Sequence, residues 1–313
     1  MKQRPDELEK LVEVAKIQST ESSNAIEGIV TTNTRIRQLV EEKTTPKNRD
    51  EEEISGYRDA LNIIHESFDF IPVSPNYILQ LHGILFRHVE NNNFGGTFKN
   101  SQNYIQGINA QGEPFVVFTP LAPFETAPAI ENLCDTFNKA LEEGIVDPLI
   151  LIPVFIHDFL CIHPFRDGNG RMSRLLTTLL LYRSGYYVGK YVSLEAKIAR
   201  IKDLYYDALG ESQTGWHEGK DDPTPFIKYF LSIVDMAYKD FEERLELVQK
   251  KVNANDLVAM AFEKKIGKIR KSDIVELCPS LSVSAVEKGI ARLLQDGRIE
   301  KYGKGKSTFY VRK

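Results

Sequence analysis

Apolar residues recur at spacings of three and four along most of the chain, the pattern of helices that bury one face. Helices are predicted over residues 8–18, 52–68, 76–89, 126–142, 148–162, 170–183, 195–209 and 225–248. The segment 148–162 is strongly apolar but too short to span a membrane, so it is interpreted as a buried core helix. Between residues 97 and 118, two short apolar runs flank a turn-rich centre, which predicts a β-hairpin inserted in a helical protein.

Residues 251–313 differ from the rest in charge. They carry 14 Lys+Arg against 7 Asp+Glu, or +7, while the remainder carries 26 against 37, or −11. Three short helical patterns and two alternating strand patterns predict a winged helix-turn-helix here. The expected fold is therefore mainly α. It has an N-terminal helical region over 1–95, a helical core with the hairpin over 96–248 and a winged-helix domain over 251–313.

Composition places the chain among ordinary globular proteins. It has 313 residues, of which 42% are hydrophobic and 27% charged, which suits about two domains. No segment reaches the roughly 18 apolar residues of a membrane span, and the charged start differs from a secretory signal. The three cysteines, Cys134, Cys161 and Cys278, have no paired spacing. Reduced thiols, a cytoplasmic location and no membrane partner are expected.

The segment from His163 to Arg174 concentrates the candidate chemistry. A buried helix should end at His163-Pro164, because proline disfavours helical geometry in the residue before it. The glycines at 168 and 170 then open a new helix, where free N–H groups and the helix dipole attract anions. Two arginines in its first turn are unfavourable there unless a multivalent anion lies nearby. The residues alone thus indicate a phosphate site, with a carboxylate at Asp167 for Mg²⁺ and a base at His163.

This segment resembles the Fic-family motif His-x-Phe-x-(Asp/Glu)-Gly-Asn-Gly-Arg-x-x-Arg at every fixed position. The resemblance extends over most of residues 20–240 and implies a protein adenylyltransferase that moves AMP from ATP to a Ser, Thr or Tyr hydroxyl of a target protein or of itself. It implies that His163 deprotonates the hydroxyl and that Asp167 binds Mg²⁺. The implied ATP-binding residues of the motif are Gly168, Asn169, Gly170, Arg171 and Arg174, with Phe165 as a core anchor.

Two further segments carry implied roles. The hairpin residues Asn103, Tyr104, Ile105 and Gln106 would act as a flap that aligns the target segment by strand addition. Many relatives have Arg where Lys99 stands, just before the flap. Tyr205 is interpreted either as a residue of the nucleotide pocket or as a core residue.

Residues 23–28 resemble the inhibitory pattern of the same family, (Ser/Thr)-x-x-x-Glu-(Gly/Asn). Ser23 and Glu27 are four apart and share a helix face, and Gly28 is a natural helix stop. The resemblance implies that Glu27 pairs with Arg174, takes the partner of the ATP γ-phosphate and inhibits the enzyme in cis. In some relatives the same glutamate supports removal of AMP, so both directions remain open for this chain.

Two functions from other classes compete with this interpretation. The first is a transcriptional regulator that senses nucleotide through the Fic-like body and binds DNA through the winged helix. Its third helix offers only Lys288 and Arg292, so protein binding or support of a homodimer is an equal alternative. The second is a metal-dependent phosphohydrolase built on His157-Asp158. The spacing of the six histidines gives it no support, and His157 is interpreted as a core residue.

Overall fold

The computed structural model describes residues 5–108, 112–249, 254–265, 267–278 and 281–312. Within them the chain forms thirteen α-helices and two antiparallel hairpins. The helices of the first half are α1 (Pro5–Ile26), α2 (Asn33–Val40), α3 (Arg49–Ser67), α4 (Pro75–Leu85), α5 (Pro123–Glu143), α6 (Pro148–Ile162) and α7 (Asn169–Arg183). Strands β1 (Ile105–Ile108) and β2 (Pro114–Phe118) form the first hairpin. Its predicted turn residues 109–111 lie outside the described ranges.

The second half continues with five helices. These are α8 (Leu194–Arg200), α9 (Lys202–Ser212), α10 (Thr224–Gln249), α11 (Ala254–Lys264) and α12 (Lys271–Leu277). Helix α13 (Val283–Gln295) then precedes β3 (Ile299–Tyr302) and β4 (Phe309–Arg312). The predicted mainly α fold with a hairpin is confirmed. The last elements follow the order expected for a winged helix, and that assignment stays a prediction.

By its internal contacts the chain forms two compact units. One comprises residues 16–189 and 193–235, and the other comprises 1–15, 190–192 and 236–313. The predicted domain boundaries after residues 95 and 248 stay predictions. No helix in the described part of the chain combines the length and apolar character that a membrane crossing requires.

The larger unit is organised around α7, whose residues are buried along almost its whole length. Helix α6 packs beside it, and both carry leucine, isoleucine or phenylalanine on most sides, as helices in the centre of a bundle must. Helix α3 also contacts α7, α4 packs on α3, and α5 packs on α6. The turn between α6 and α7 is therefore fixed at both ends by buried helices.

The other unit has its own core in its C-terminal segment. Phe262, Ile274, Val286, Ile290 and Ile299 are among the apolar residues that α11, α12, α13 and β3 bury together. A backbone bridge between residues 269 and 310 adds the segment before α12 to the last hairpin.

Three differences from the predicted helices have physical causes. Helix α1 runs to Ile26, beyond the predicted end at 18, because its last turns bury polar residues that an apolar pattern does not reveal. Helix α2 was not predicted, since only Ile36 and Leu39 are buried in its eight residues. The predicted helix 195–209 is two helices that meet at Ile201, whose φ of −125° is not helical.

Candidate active site

The turn between α6 and α7 is held in one shape by the side chain of Asn169. Its Oδ1 accepts from Phe165 N at 2.9 Å, and its Nδ2 donates to Phe165 O at 2.8 Å. Phe165 itself is fully buried and stacks on the ring of His82 at a centroid distance of 3.7 Å. The side chain of Asn169 thus organises the loop, while its main chain begins α7.

Gly168 is required by the backbone at this point. It caps α7 with a left-handed φ of 82°, and a Cβ there would lie 2.7 Å from the ring of Phe86. After this residue the N–H groups of Asn169, Gly170 and Arg171 have no acceptor inside the helix, because the first turn of any helix leaves its donors unpaired. Asn169, Gly170 and Arg171 all line the cavity that the other predicted phosphate-binding residues line.

His163 ends α6 in the left-handed region, with φ of 50°, and lies at the edge of that cavity. Its Nδ1 lies 3.2 Å from Leu160 O, a carbonyl that can only accept, so Nδ1 carries the proton and Nε2 keeps a lone pair. Burial, with a smaller contribution from the charge of Lys99, lowers the pKa of His163 to about 4. The imidazole is therefore neutral near pH 7, the form that accepts a proton.

Arg171 is held by a partner that the sequence did not reveal. Its Nη1 lies 2.7 Å from Glu53 Oε2 of α3, and its guanidinium lies over the ring of Phe86 at 5.1 Å. Asp167, four residues before it, keeps a side chain that is 46% exposed and lines the cavity. The carboxylate lies 3.6 Å from Arg171 Nη2 and 4.0 Å from Arg49 Nη2, so neither arginine holds it in a close ion pair.

Arg174 is the point where α1 meets the motif. Its side chain is 4% exposed, and Nη2 donates to Glu27 Oε1 at 2.7 Å. Nε donates to Ser23 Oγ at 2.8 Å, and Nη2 also donates to Ser23 O at 2.9 Å. All three predicted inhibitory residues, Ser23, Glu27 and Arg174, therefore come together.

The charge of Glu27 is stabilised from several sides. Burial opposes ionisation, but the charge and hydrogen bond of Arg174, with the charges of Arg171 and Lys202, hold the pKa of Glu27 below its ordinary value. Lys202 of α9 donates from Nζ to Ile26 O at 2.6 Å, which places a cation at the C-terminus of α1. A positive charge at a helix C-terminus is favourable because it lies at the negative end of the helix dipole. The carboxylate of Glu27 is thus ionised and placed against the N-terminus of α7.

The flap divides into a fixed base and an open hairpin. Asn103 accepts from Lys99 Nζ at 2.9 Å and donates to Phe165 O at 3.0 Å, so its side chain is directed to the turn and not to the cavity. Lys99 also donates to Ile162 O at 3.1 Å, and burial lowers the pKa of this lysine to about 8. The residues Tyr104, Ile105 and Gln106 line the cavity, and their role as a target-binding flap stays a prediction.

One cavity of about 580 Å³ collects most of the predicted residues. Its lining includes Glu27, His163, Asp167, Gly168, Asn169, Gly170, Arg171, Arg174 and Tyr205. Tyr205 is buried against other aromatic rings and also borders the cavity, so its role in a nucleotide pocket stays a prediction. A volume of this size suits a nucleotide, because ligand pockets commonly measure about 300–1,000 Å³.

Glu53, Lys202 and His82 support the site but were not found from the sequence. His82 Nδ1 accepts from Gly96 N at 2.9 Å, so Nε2 carries the proton and donates to Asp167 O at 3.0 Å. Burial lowers the pKa of His82 to about 4, which keeps it in this neutral form. Each of these residues lies on another element, far from the motif along the chain, and no local pattern marks it.

Comparison with known proteins agrees with this geometry. The sequence model of the Fic/DOC family matches residues 72–181. A Fido domain-containing protein of Dictyostelium discoideum is 32% identical over 135 residues, which are 42% of this chain and 90% of that protein. The protein adenylyltransferase Fic of Nematostella vectensis is 25% identical over 232 residues, 71% of this chain. The chain spans about half the length of this curated relative, 48% of it.

Solved structures agree on the fold. A crystal structure of a Fic domain containing signaling protein from Bacteroides thetaiotaomicron superposes with a TM-score of 0.63 and 24% identity. The superposed region covers 76% of this chain and 89% of the Bacteroides protein. Motif, fold and relatives agree, and the chain belongs to the Fic/DOC family.

Proposed function

We propose that this chain transfers AMP from ATP to a hydroxyl group of a protein, and that Glu27 restrains this activity in cis. The observation that carries the proposal is the convergence of three groups on one cavity. These are a neutral His163, the unpaired N–H groups that begin α7, and an Arg174 already engaged by Glu27. The name of the Nematostella vectensis relative, protein adenylyltransferase Fic, supports the same reaction class.

The reaction follows from the placement of these groups. His163 Nε2 accepts the proton of the target hydroxyl, whose oxygen then forms a bond to the α-phosphorus of ATP. The bond from that phosphorus to the bridging oxygen breaks, and pyrophosphate leaves. The N–H groups of α7 and the guanidinium groups of Arg171 and Arg174 stabilise the charge that develops on the phosphates. ATP and the protein hydroxyl are thus converted to AMP-modified protein, pyrophosphate and the proton accepted by His163.

Asp167 is the residue that would hold Mg²⁺. Its carboxylate is exposed to the cavity and lacks a close ion pair, and Mg²⁺ usually takes one or two carboxylates together with phosphate oxygens. When bound, the ion would neutralise phosphate charge.

The flap supports a means of target binding. Strands β1 and β2 form a two-stranded sheet. Tyr104, just before β1, and Phe115, Val116 and Val117 on β2 are exposed. An extended target segment would add to a strand edge by main-chain hydrogen bonds while these side chains contact its residues. This geometry would present a hydroxyl beside His163.

Glu27 acts as a brake in this proposal because its carboxylate pairs with the Arg174 guanidinium, which would otherwise bind the γ-phosphate. Its Oε1 also lies 2.3 Å from the position that a Cβ on Gly170 would take, so the carboxylate rests directly on the first turn of α7. A phosphate at that point would meet a negative charge. ATP would then bind in a pose that does not align its α-phosphorus.

The test uses ATP labelled on the α-phosphate and the purified chain. Glu27→Gly should increase label on protein at least about tenfold, because a charged hydrogen bond contributes about 1.5–3 kcal/mol. His163→Ala added to this variant should abolish labelling. Glu42→Gly is the matched control, since it makes the same substitution just after α2, away from the cavity, and it should label as the unmodified chain does.

Two outcomes would reject parts of the proposal. Equal labelling of the unmodified chain and Glu27→Gly would reject the brake. Absence of label in a Glu27→Gly variant that binds ATP would reject AMP transfer itself. Removal of AMP, binding of DNA by residues 251–313, a homodimer and a cytoplasmic location stay predictions, and a salt-dependent gel shift tests the DNA binding.

A further inference from the structure

A second cluster of chemically active side chains lies apart from the proposed catalytic cavity. His157 and Asp158 are adjacent on α6, and Asp221 comes from the loop between α9 and α10. One ligand atom from each residue can be chosen so that all three lie within 4.8 Å of one another. Asp158 and Asp221, together with Trp216, line a separate cavity of about 370 Å³.

His157 is the unusual member of the cluster. Its side chain is 1% exposed, and Nδ1 has no hydrogen-bond partner in the described structure. On the other side of the ring, Nε2 lies 3.7 Å from Cys161 Sγ. Burial of a polar nitrogen without a partner is unfavourable, so such an atom calls for an explanation.

The distances around Nδ1 are wrong for hydrogen bonds and suitable for a shared cation. Nδ1 lies 3.5 Å from Asp158 Oδ1 and 3.9 Å from Asp221 Oδ2, whereas hydrogen bonds from nitrogen to oxygen measure about 2.7–3.2 Å. Two donors about 2.1 Å from one tetrahedral ion lie about 3.4 Å apart. The separations therefore match ligands around an ion more closely than a direct imidazole–carboxylate pair.

Charge and orientation in the cluster agree with a cation. In the described structure neither Asp158 nor Asp221 forms a salt bridge with a lysine or arginine, and His157 is the only basic group within ion-pair distance. Trp216 Nε1 donates to Asp158 Oδ1 at 2.8 Å and fixes that carboxylate. The loop that carries Asp221 is closed by a hydrogen bond of 3.0 Å from Lys220 N to Gly215 O.

We propose that His157, Asp158 and Asp221 form a binding site for a divalent transition-metal ion, with Zn²⁺ as the representative ion. One imidazole nitrogen and two carboxylate oxygens form a mixed donor set, which suits Zn²⁺ better than Mg²⁺, an ion that takes oxygen ligands. Three protein ligands leave a fourth position for water from the adjoining cavity. The ion joins α6 to the loop before α10, and this inference does not depend on the proposed AMP transfer.

Zn²⁺ titration of the tag-free, metal-stripped full chain against a chromophoric chelator tests the site. The unmodified chain should bind one Zn²⁺ per molecule. His157→Gln and Asp221→Asn should each weaken binding by more than about 100-fold, and Trp216→Phe by about 10- to 100-fold, the range for residues that orient a ligand. Bound Co²⁺ should give a visible absorption band that these variants lose.

Two control variants separate this site from other carboxylates. Asp222→Asn changes the exposed neighbour of Asp221 and should bind Zn²⁺ normally, as should Asp167→Asn at the proposed magnesium site. The proposal fails if the unmodified chain binds no stoichiometric Zn²⁺, the result expected for a water bridging the three residues. It also fails if Asp221→Asn binds as tightly as the unmodified chain. Should His157→Gln not fold, the loop variant Asp221→Asn decides the question, with circular dichroism confirming its fold.

Discussion

Ser23→Ala tests the brake without touching Glu27 or the catalytic motif. Ser23 is fully buried, and its Oγ accepts from Arg174 Nε at 2.8 Å. A hydrogen bond to a charged group contributes about 1.5–3 kcal/mol. We call the state in which Glu27 pairs with Arg174 restrained, and the state in which this pair is broken released. In the restrained state the substitution leaves Arg174 Nε buried without this acceptor. In the released state Arg174 Nε can bond to water or phosphate. The substitution therefore penalises the restrained state selectively.

The size of the effect follows from that selectivity. Since 1.4 kcal/mol is a factor of ten in an equilibrium constant, the restrained state should lose about 10- to 150-fold in population relative to the released state. Transfer of label from α-labelled ATP should rise accordingly, up to the level of Glu27→Gly. The free energy of unfolding, measured with urea, should fall by about 1–3 kcal/mol at the same time.

Ser22→Ala supplies the matched control. It makes the same substitution one position earlier on the same helix, where no hydrogen bond to Arg174 is made, and should change neither quantity appreciably. The reasoning is refuted if Ser23→Ala labels no better than Ser22→Ala while losing stability. That result would show that Ser23 supports the fold of α1 but not the restraint of Arg174.

Three further changes test other contacts. Lys202→Met removes the cation that donates to Ile26 O, so labelling should increase severalfold; an unchanged rate would contradict a role for Lys202 in holding α1. Phe165→Ala should lower the free energy of unfolding by about 3–5 kcal/mol in urea, because the ring is fully buried; a loss below about 1 kcal/mol would disagree with that burial. The pKa of His163 is about 4 in the folded chain and about 6.5 for a free imidazole. Between these values the unfolded chain binds a proton at His163 that the folded chain does not. The free energy of unfolding therefore falls as the pH drops from 8 to 5. His163→Gln should remove about 2 kcal/mol of that fall, and identical pH profiles of the two proteins would exclude the lowered pKa.

The candidate motif could be recognised in the sequence because its residues are consecutive. His163, Asp167 and the two glycines lie in one turn, so local rules about proline, glycine and helix starts place them together. The supporting contacts could not be found in this way. Glu53 pairs with Arg171 across more than one hundred positions, and only the packing of α3 on α7 brings them together.

The course of α1 illustrates the same limit. Apolar periodicity predicts a helix to residue 18, but the helix continues through Ser19, Thr20, Ser23 and Asn24, all of which are buried. Two of these side chains are hydrogen-bonded: Ser23 Oγ accepts from Arg174 Nε at 2.8 Å, and Asn24 Nδ2 donates to Thr20 O at 2.8 Å. Apolar periodicity treats polar residues as exposed, so it does not predict that this polar face of α1 is buried. The resemblance of residues 23–28 to the inhibitory pattern, and not apolar periodicity, predicts that the end of α1 has a regulatory role.

The anchoring of Asn103 has a mechanical consequence for the flap. Because Asn103 is tied to Lys99 and to Phe165 O, while Lys99 is tied to the last carbonyl of α6, the hairpin is clamped at its root. A target peptide bound to the strands as proposed would meet a fixed point at Asn103, and any distortion would be confined to the residues beyond it. If target proteins bind here as proposed, targets of different sequence would bend the hairpin without disturbing the position of the imidazole at His163.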